Sequence, residues 1–413
     1  MHLIRPFAGL RPAPGYAAAV AAPPYDVLST EEARARAVDA PWSFLHISKP
    51  EIDLPPGTDP YSPAVYTMAA ENFRRMLNAA VLARDAVPCY YVYRLIMGQH
   101  VQTGLVAAAS VADYGSNRIR KHEFTRPDKE DDRVRQIVAL NAQTGPVLMA
   151  YPAAPRVDEI LLQTSSGIPQ ADLTAQDGIR HTVWVLSDQN VIEQLTRAFD
   201  GMPSLYIADG HHRSAAAARV AAERRVANPN HTGEESYNAF LSVLFPHHQM
   251  RILAYNRVVK DLKGMSALEF LTRVGRSFSV HPHDGPVEPS RHGEFGLFMR
   301  GRWYKLQIKP QLAQSSDPVK RLDVSLLSDH LLGPTLGIHD LRTDKRIDFV
   351  GGGRGLQGLE SRVNSEEMAV AFSLYATRME DLMAVADAGQ VMPPKSTWFE
   401  PKLADGLVSH VLD

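Results

Sequence analysis

The chain has 413 residues, with 44 lysines and arginines against 46 aspartates and glutamates and a formal net charge of −2 at pH 7. That balance lacks the basic excess of a general nucleic-acid binder. With 45% hydrophobic and 22% charged residues, the composition is that of a folded chain and not a disordered one.

A single core rarely grows past about 250–300 residues, so two domains are expected, 1–245 and 246–413, with the boundary near Pro246. Cys89 is the only cysteine. It excludes an intrachain disulfide and a Cys-rich zinc site, fits a reducing compartment, and reads as a small buried residue in a strand. The start, Met1-His2-Leu3-Ile4-Arg5, does not read as a signal peptide, and no apolar run is long enough to span a bilayer. The expected location is the cytoplasm, with no membrane partner.

In chain order, Ser29 and Glu32 have capping-box spacing and start a helix. A second helix is predicted from Pro63 to Leu82, with Val65, Met68, Ala69, Phe73, Met76 and Leu77 at helical spacing. Strands follow at 90–97 and 101–111, turning on Gly98-Gln99-His100. The polar run from Lys121 opens a helix that ends near Asn141. Further strands are predicted at 147–151, 182–186, 205–208, 239–245 and 251–259, with helices at 157–163, 191–199 and 211–226. Beyond them come a helix at 267–278, a hairpin of 295–299 with 303–308, a helix at 324–332, a strand at 347–350, a helix at 356–363 and a strand at 369–375. A last helix is expected after Thr377, with Glu380 completing a capping box and Gly389 as its stop. Helices and strands mix without strict alternation, so the class is α+β, or mixed α/β, and not a barrel.

The segment Ala208-Asp209-Gly210-His211-His212-Arg213-Ser214 joins an apolar strand to an alanine-rich helix. Free backbone N–H groups and the helix dipole make such a junction an anion site. Gly210 allows close approach of a ligand, Arg213 can fork onto phosphate oxygens, and the histidines can donate to them. Asp209 can hold Mg2+ or orient a reacting hydroxyl. A second constellation, Lys121-His122-Glu123 with Arg126, surrounds an acid with basic groups and suits a polyphosphate and its base; charge runs of this kind are also common on solvated faces. The loop Met392 to Lys402 offers Lys395, Ser396 and Thr397 for phosphate or a substrate carboxylate. Pro24-Tyr25-Asp26-Val27 is a stiff turn carrying an acid, and Phe44 to Glu51 reads as a strand presenting His46 and Ser48 on one face; Asp26 and His46 could line a substrate pocket. Gly351-Gly352-Gly353-Arg354 lacks the spacing of a phosphate-binding P-loop.

Pro-Tyr-Asp-Val at 24–27, Lys-His-Glu-Phe-Thr-Arg at 121–126, Leu-Asn-Ala-Gln-Thr at 140–144, Ala-Asp-Gly-His-His-Arg at 208–213 and the 392–402 run resemble the domain-of-unknown-function 1015 family over essentially the whole chain. The turn at 209–213 is in addition similar to the phosphate-binding motif of free serine kinases, which belong to the ParB/sulfiredoxin-like fold. This likeness implies such a core plus a second α/β domain contributing to the site. By this likeness Asp209, His211, His212 and Arg213 take the phosphate and metal role, and a separate glutamate acts as base, for which Glu123 is chosen by its position; Gly210, Ser214, Lys121, His122 and Arg126 are further expected phosphate contacts, and Asp209 and His212 with Glu123 are the expected catalytic residues. The sulfiredoxin branch carries a cysteine in the corresponding turn where this chain has histidine, so sulfinate chemistry is not implied. No helix-turn-helix of the ParB branch is evident.

The expected function is phosphoryl transfer from ATP, ADP or pyrophosphate to a small hydroxyl amino acid, serine first, with Mg2+ at Asp209. The alternatives are a metal-dependent hydrolase built on Asp209, His211 and His212, and a nucleotide-binding regulator without catalysis. The expected partners are a small-molecule substrate and, at most, a second copy of the chain in a homodimer, with no nucleic acid.

Overall fold

Residues 239–246, Ala-Phe-Leu-Ser-Val-Leu-Phe-Pro, are buried at every position, which suits a strand paired on both sides and covered on both faces. In the computed structural model, which describes residues 2–413, this strand lies within a nine-stranded mixed sheet. It runs parallel to Val147–Tyr151 and antiparallel to His100–Ser110. Outward on one side, Val147–Tyr151 pairs antiparallel with Leu205–Asp209, which pairs with Ile119–Arg120 at the edge. On the other side follow Tyr90–Met97, Arg180–Leu186 and Ala171–Thr174. One core cluster joins this sheet to the helices Pro127–Leu140, Pro155–Thr164, Gln189–Asp200 and His211–Ala227 through Ile137, Leu161, Phe199 and Val220. A second cluster packs Phe44, Leu45 and Ile47 against Phe73 and Met76 of the helix Pro63–Asn78.

The fold is α+β, as expected. The chain divides into two compact units, residues 1–250 with 401–413, and residues 251–400. The sequence reading kept everything after Pro246 together. The final residues instead rejoin the first unit: His410–Val411 pairs with Ala142–Gln143, and Ser409 and Asp405 bridge to Leu10 and Ala22. The second unit holds a six-stranded antiparallel sheet in the order Phe278–His283, Arg302–Ile308, Glu294–Met299, Val370–Leu374, Tyr255–Val259, Ile347–Gly351, covered by the helix Gly355–Asn364.

Most predicted elements are present, and the exceptions have local causes. Phe44 to Glu51 is not a strand but the short helix Leu45–Ser48 followed by a 3-10 turn at Pro50–Asp53. Phe44, Leu45, Ile47 and Ser48 are all buried, a spacing that suits one helical face and that strand alternation would split. The run 251–259 breaks at Ala254, because Arg251–Leu253 pairs with Trp398–Glu400 while Tyr255–Val259 pairs with Val370–Leu374 and Ile347–Gly351. The 267–278 helix stops at Val274, and Phe278 already belongs to a strand. The helix Asp323–Leu327 continues as a wide π-helical stretch, Ser328–Leu336, around Pro334, which has no N–H to give. The last helix, Met379–Asp387, is capped at Arg378 without a side-chain bond, because the Thr377 hydroxyl donates instead to the Ser396 carbonyl. Cys89 is buried, and no helix of the described residues is long and apolar enough to cross a membrane.

Gly406 fixes the returning segment. Its φ is +87°, and a Cβ there would lie 2.6 Å from the ring of Phe44. Gly406→Ala is expected to lower stability by about 1–3 kcal/mol, read by urea denaturation; an unchanged midpoint would show that the segment can shift freely against Phe44.

Candidate active site

The strand Leu205–Asp209 carries a register shift between Ile207 and Asp209, so Asp209 stands opposite Leu148 with Ala208 as the extra residue. Such a bulge re-aims the side chain that follows it. Gly210 then takes φ 101° and ψ 28°, open to glycine and strained for other residues, and the helix His211–Ala227 begins with no side-chain cap. Its first N–H groups therefore have no side-chain acceptor, and the positive end of the helix dipole lies behind them.

Arg213 folds back over this turn. Its Nε lies 3.0 Å from where a Cβ on Gly210 would stand, its guanidinium donates to the Pro146 carbonyl, and an Nη is 3.7 Å from Asp209 Oδ2. Lys402, from the returning segment, places Nζ 3.5 Å from the same oxygen. Burial pushes the Asp209 carboxyl up, but Lys402 and Arg213 outweigh it and hold the group well below the usual carboxylate range. Asp209 thus sits between two cations that it fixes in place.

The two histidines diverge, as consecutive residues entering a helix must. His211 is buried and packs edge-on against His122, with ring centroids 4.5 Å apart. The His122 backbone N–H donates to His211 Nε2 at 3.4 Å. In the neutral ring this leaves the proton on Nδ1, 3.8 Å from Glu123 Oε2. Burial and the neighbouring His122 lower the His211 pKa well below its ordinary value, and burial lowers that of His122 to about 4. Both rings are neutral at pH 7. His122 Nδ1 is buried with no hydrogen-bond partner among the described residues. His212 turns the other way and accepts a hydrogen bond from the Arg126 backbone N–H at 3.0 Å, tying the start of the helix Pro127–Leu140 to this junction.

Behind Arg213 lies a cavity of about 30 Å3, bordered by Tyr25, Ser48, Arg133, Gln136, Arg213 and Asp405. That is room for about two waters. Burial pushes the Asp405 carboxyl up to about 7 against the pull of Arg213, with Asp26 raising it further. Arg133 stacks on Tyr25 with its guanidinium carbon 3.9 Å from the ring centroid.

A family model described as "Protein of unknown function (DUF1015)" matches residues 4–325. The chain belongs to the DUF1015 family. No curated protein matches it by sequence. Among solved structures, the DUF1015 chain is similar to a conserved hypothetical protein from Pyrococcus furiosus, with 14% identity, a TM-score of 0.35, and coverage of 73% of this chain and 93% of the other. It is also similar to a free serine kinase in complex with AMP, with 13% identity, a TM-score of 0.36, and coverage of 71% and 86%. C-terminally truncated SbnI from Staphylococcus aureus aligns at 10% identity and a TM-score of 0.36, covering 72% and 84%. At these values the backbones diverge too far for the chemistry of one protein to be read from another.

The DUF1015 chain thus brings Asp209, Gly210, His211, Arg213, His122 and Glu123 together. Other expected contacts are occupied elsewhere. Lys121 Nζ donates to the Tyr114 carbonyl at 3.2 Å and lies over that ring, and the Ser214 hydroxyl donates to the His211 carbonyl. His46 Nδ1 lies 2.9 Å from the Asp53 carboxylate, which makes it a structural contact. Asp26 is exposed and acts on Arg213 and Asp405 through its charge. Lys395, Ser396 and Thr397 belong to the second unit, where the Ser396 hydroxyl donates to the Pro393 carbonyl. Lys402 and Asp405 were not singled out from the sequence; Lys402 closes the 392–402 motif, whereas nothing local marks Asp405.

Mg2+ at Asp209 fits poorly, since the carboxylate already faces two cations. The donors that could hold a metal are His122, Glu123 and His211, with ligand atoms within 4.8 Å of one another. Two imidazoles and one carboxylate favour zinc, iron or manganese over Mg2+, which prefers oxygen ligands.

The neutral histidines carry a pH signature. The unfolded chain protonates His122 near 6.5, whereas the folded chain does so only near 4. The contribution is therefore complete above pH 6.5 and is lost as pH falls through this window. Asp405, raised to about 7, acts in the opposite sense, so the comparison must be made by variant. His122→Asn should remove on the order of 2–3 kcal/mol of the stability lost between pH 7.5 and 4.5. Urea denaturation at both pH values reads this; equal losses in variant and wild type would mean that His122 protonates freely in the fold.

Proposed function

We propose that the site transfers a phosphoryl group from ATP, ADP or pyrophosphate to the hydroxyl of a small amino acid, with serine as the reference acceptor. The observation that carries this reading is the uncapped helix turn behind Gly210 with Arg213 beside it and Lys402 across Asp209. Phosphate oxygens accept well from such N–H groups, and phosphoryl transfer asks mainly for positioning and charge neutralisation. The likeness of Asp209-Gly210-His211-His212-Arg213 to the free serine kinase motif supports the same chemistry.

In this reading the acceptor oxygen attacks the terminal phosphorus while its proton passes to the Glu123 carboxylate. The P–O bond to the leaving phosphate breaks, and Arg213 and Lys402 take up the charge that develops on it. The His211 Nδ1–H faces Glu123 across 3.8 Å, and Asp209 holds both cations in register. Glu123 is half exposed, so an acceptor can reach it.

The His122, Glu123 and His211 cluster favours one further reading, a metal-dependent hydrolase, with these donors in place of Asp209 and His212.

Thermal-shift and turnover assays separate the possibilities. Arg213→Ala should abolish the stabilisation by pyrophosphate and by ADP. Glu123→Gln should keep ligand binding and lower turnover by about 10²- to 10⁴-fold. Full activity in Glu123→Gln would remove it as the base. Stoichiometric metal that co-purifies with the wild type and is lost in His211→Ala would favour the hydrolase, and nucleotide binding without turnover on any hydroxyl compound would leave a regulator.

A further inference from the structure

The first unit contains a second and much larger cavity, of about 360 Å3. That is within the range of about 300–1,000 Å3 usual for pockets that bury a whole organic ligand. Lys402 lines it, and Lys402 also stands 3.5 Å from Asp209, so one side chain belongs both to the pocket and to the phosphate turn. Lys402 is therefore the residue that connects the pocket to the turn.

The walls have a definite chemistry. Pro24, Trp42 and Leu173 give flat apolar surface, and Trp42 is packed from behind by the Arg75 guanidinium, 5.7 Å from its ring centroid. Asp39 and Asp177 supply carboxylate acceptors; Asp39 is held at φ 56°, in a region where Asp and Asn are tolerated better than most residues. His181 supplies a neutral imidazole held in place. The Tyr93 hydroxyl accepts from the Ala404 N–H at 3.2 Å and stands 2.7 Å from His181 Nδ1, which holds the ring in place. Burial lowers the pKa of this histidine to about 4, so the arrangement persists at neutral pH. Apolar walls for a flat ring, carboxylates for vicinal hydroxyls and one neutral imidazole for a ring edge are what a nucleoside requires, and a serine would leave most of the space unfilled.

We propose that this pocket takes the nucleoside end of the phosphate donor, so that the donor is a nucleotide and not pyrophosphate. The inference rests on the phosphotransfer reading of the adjoining turn. It assigns the pocket to the donor and leaves the acceptor on the Glu123 side.

Binding of ADP and of pyrophosphate to the full chain, measured by calorimetry, tests it, because the two ligands differ only by the nucleoside. ADP should bind the wild type about tenfold or more tightly than pyrophosphate. Ala19→Trp places a large ring on an exposed position of the pocket rim. It should bring ADP down to the affinity of pyrophosphate and leave pyrophosphate unchanged. Asp39→Asn, which keeps the backbone conformation, should weaken ADP alone by several-fold, a second reading should Ala19→Trp fail to fold. Equal affinities in the wild type, or variants that weaken both ligands alike, would overturn the pocket assignment while Arg213-dependent pyrophosphate binding kept the phosphate turn in place. Binding of neither ligand would overturn both.

Discussion

Everything at the site depends on keeping the Arg213 guanidinium charged while its side chain is almost fully withdrawn from water. A buried charge without partners costs several kcal/mol. The fold meets this with acceptors from separate parts of the chain: the Pro146 carbonyl ahead of a central strand, Asp209 one helical turn before, and the charges of Asp26 and Asp405 from opposite ends of the sequence. These partners hold Arg213 cationic. Asp209 is kept ionised in turn by the same arginine and by Lys402. The turn is thus an alternation of fixed charges, preorganised before any ligand arrives, and preorganised charge is the most effective kind for stabilising charge that develops in a reaction.

Against these permanent charges the histidines supply neutrality. His122 and His211 share one buried corner where two imidazolium ions would repel, and both stay unprotonated. A neutral ring with its tautomer fixed by a backbone N–H has one donor and one acceptor in known places. At this site that turns the His211 donor toward Glu123, 3.8 Å away, without adding a charge.

Much of this was legible in the sequence, and the parts that were not share a cause. The strand into Asp209, the glycine turn and the alanine-rich helix are consecutive, and their local chemistry is enough to expect an uncapped helix start with Arg213 beside it. The joining of Glu123 to His211 rested on residue type and a family likeness, and the structure brings them together because Ile119–Arg120 runs parallel beside Leu205–Asp209 at the sheet edge. His212 and Ser214 looked as available as His211. Only the helix geometry shows that one turns to the Arg126 amide and the other to a carbonyl within its own first turn. Asp405 could not be found, since it lies far along the chain from Arg213 and no local pattern marks a buried acid. Phe44 to Ser48 reads equally as a strand because five residues, with His46 among apolar and small neighbours, carry too little periodicity to separate a strand from a single turn of helix.

The excursion of the chain through residues 251–400 sets an order of events during synthesis. Lys402 and Asp405 leave the ribosome only after the whole second unit, while Arg213 and Asp209 have long been present. Domains tend to fold as they emerge. The first unit must then wait as a nearly finished sheet whose buried arginine lacks one counter-charge and whose Gly406 has not yet closed on Phe44. The nascent chain therefore carries an incomplete set of charges around Gly210, and the set is completed late in translation, when residues 401–413 join the first unit.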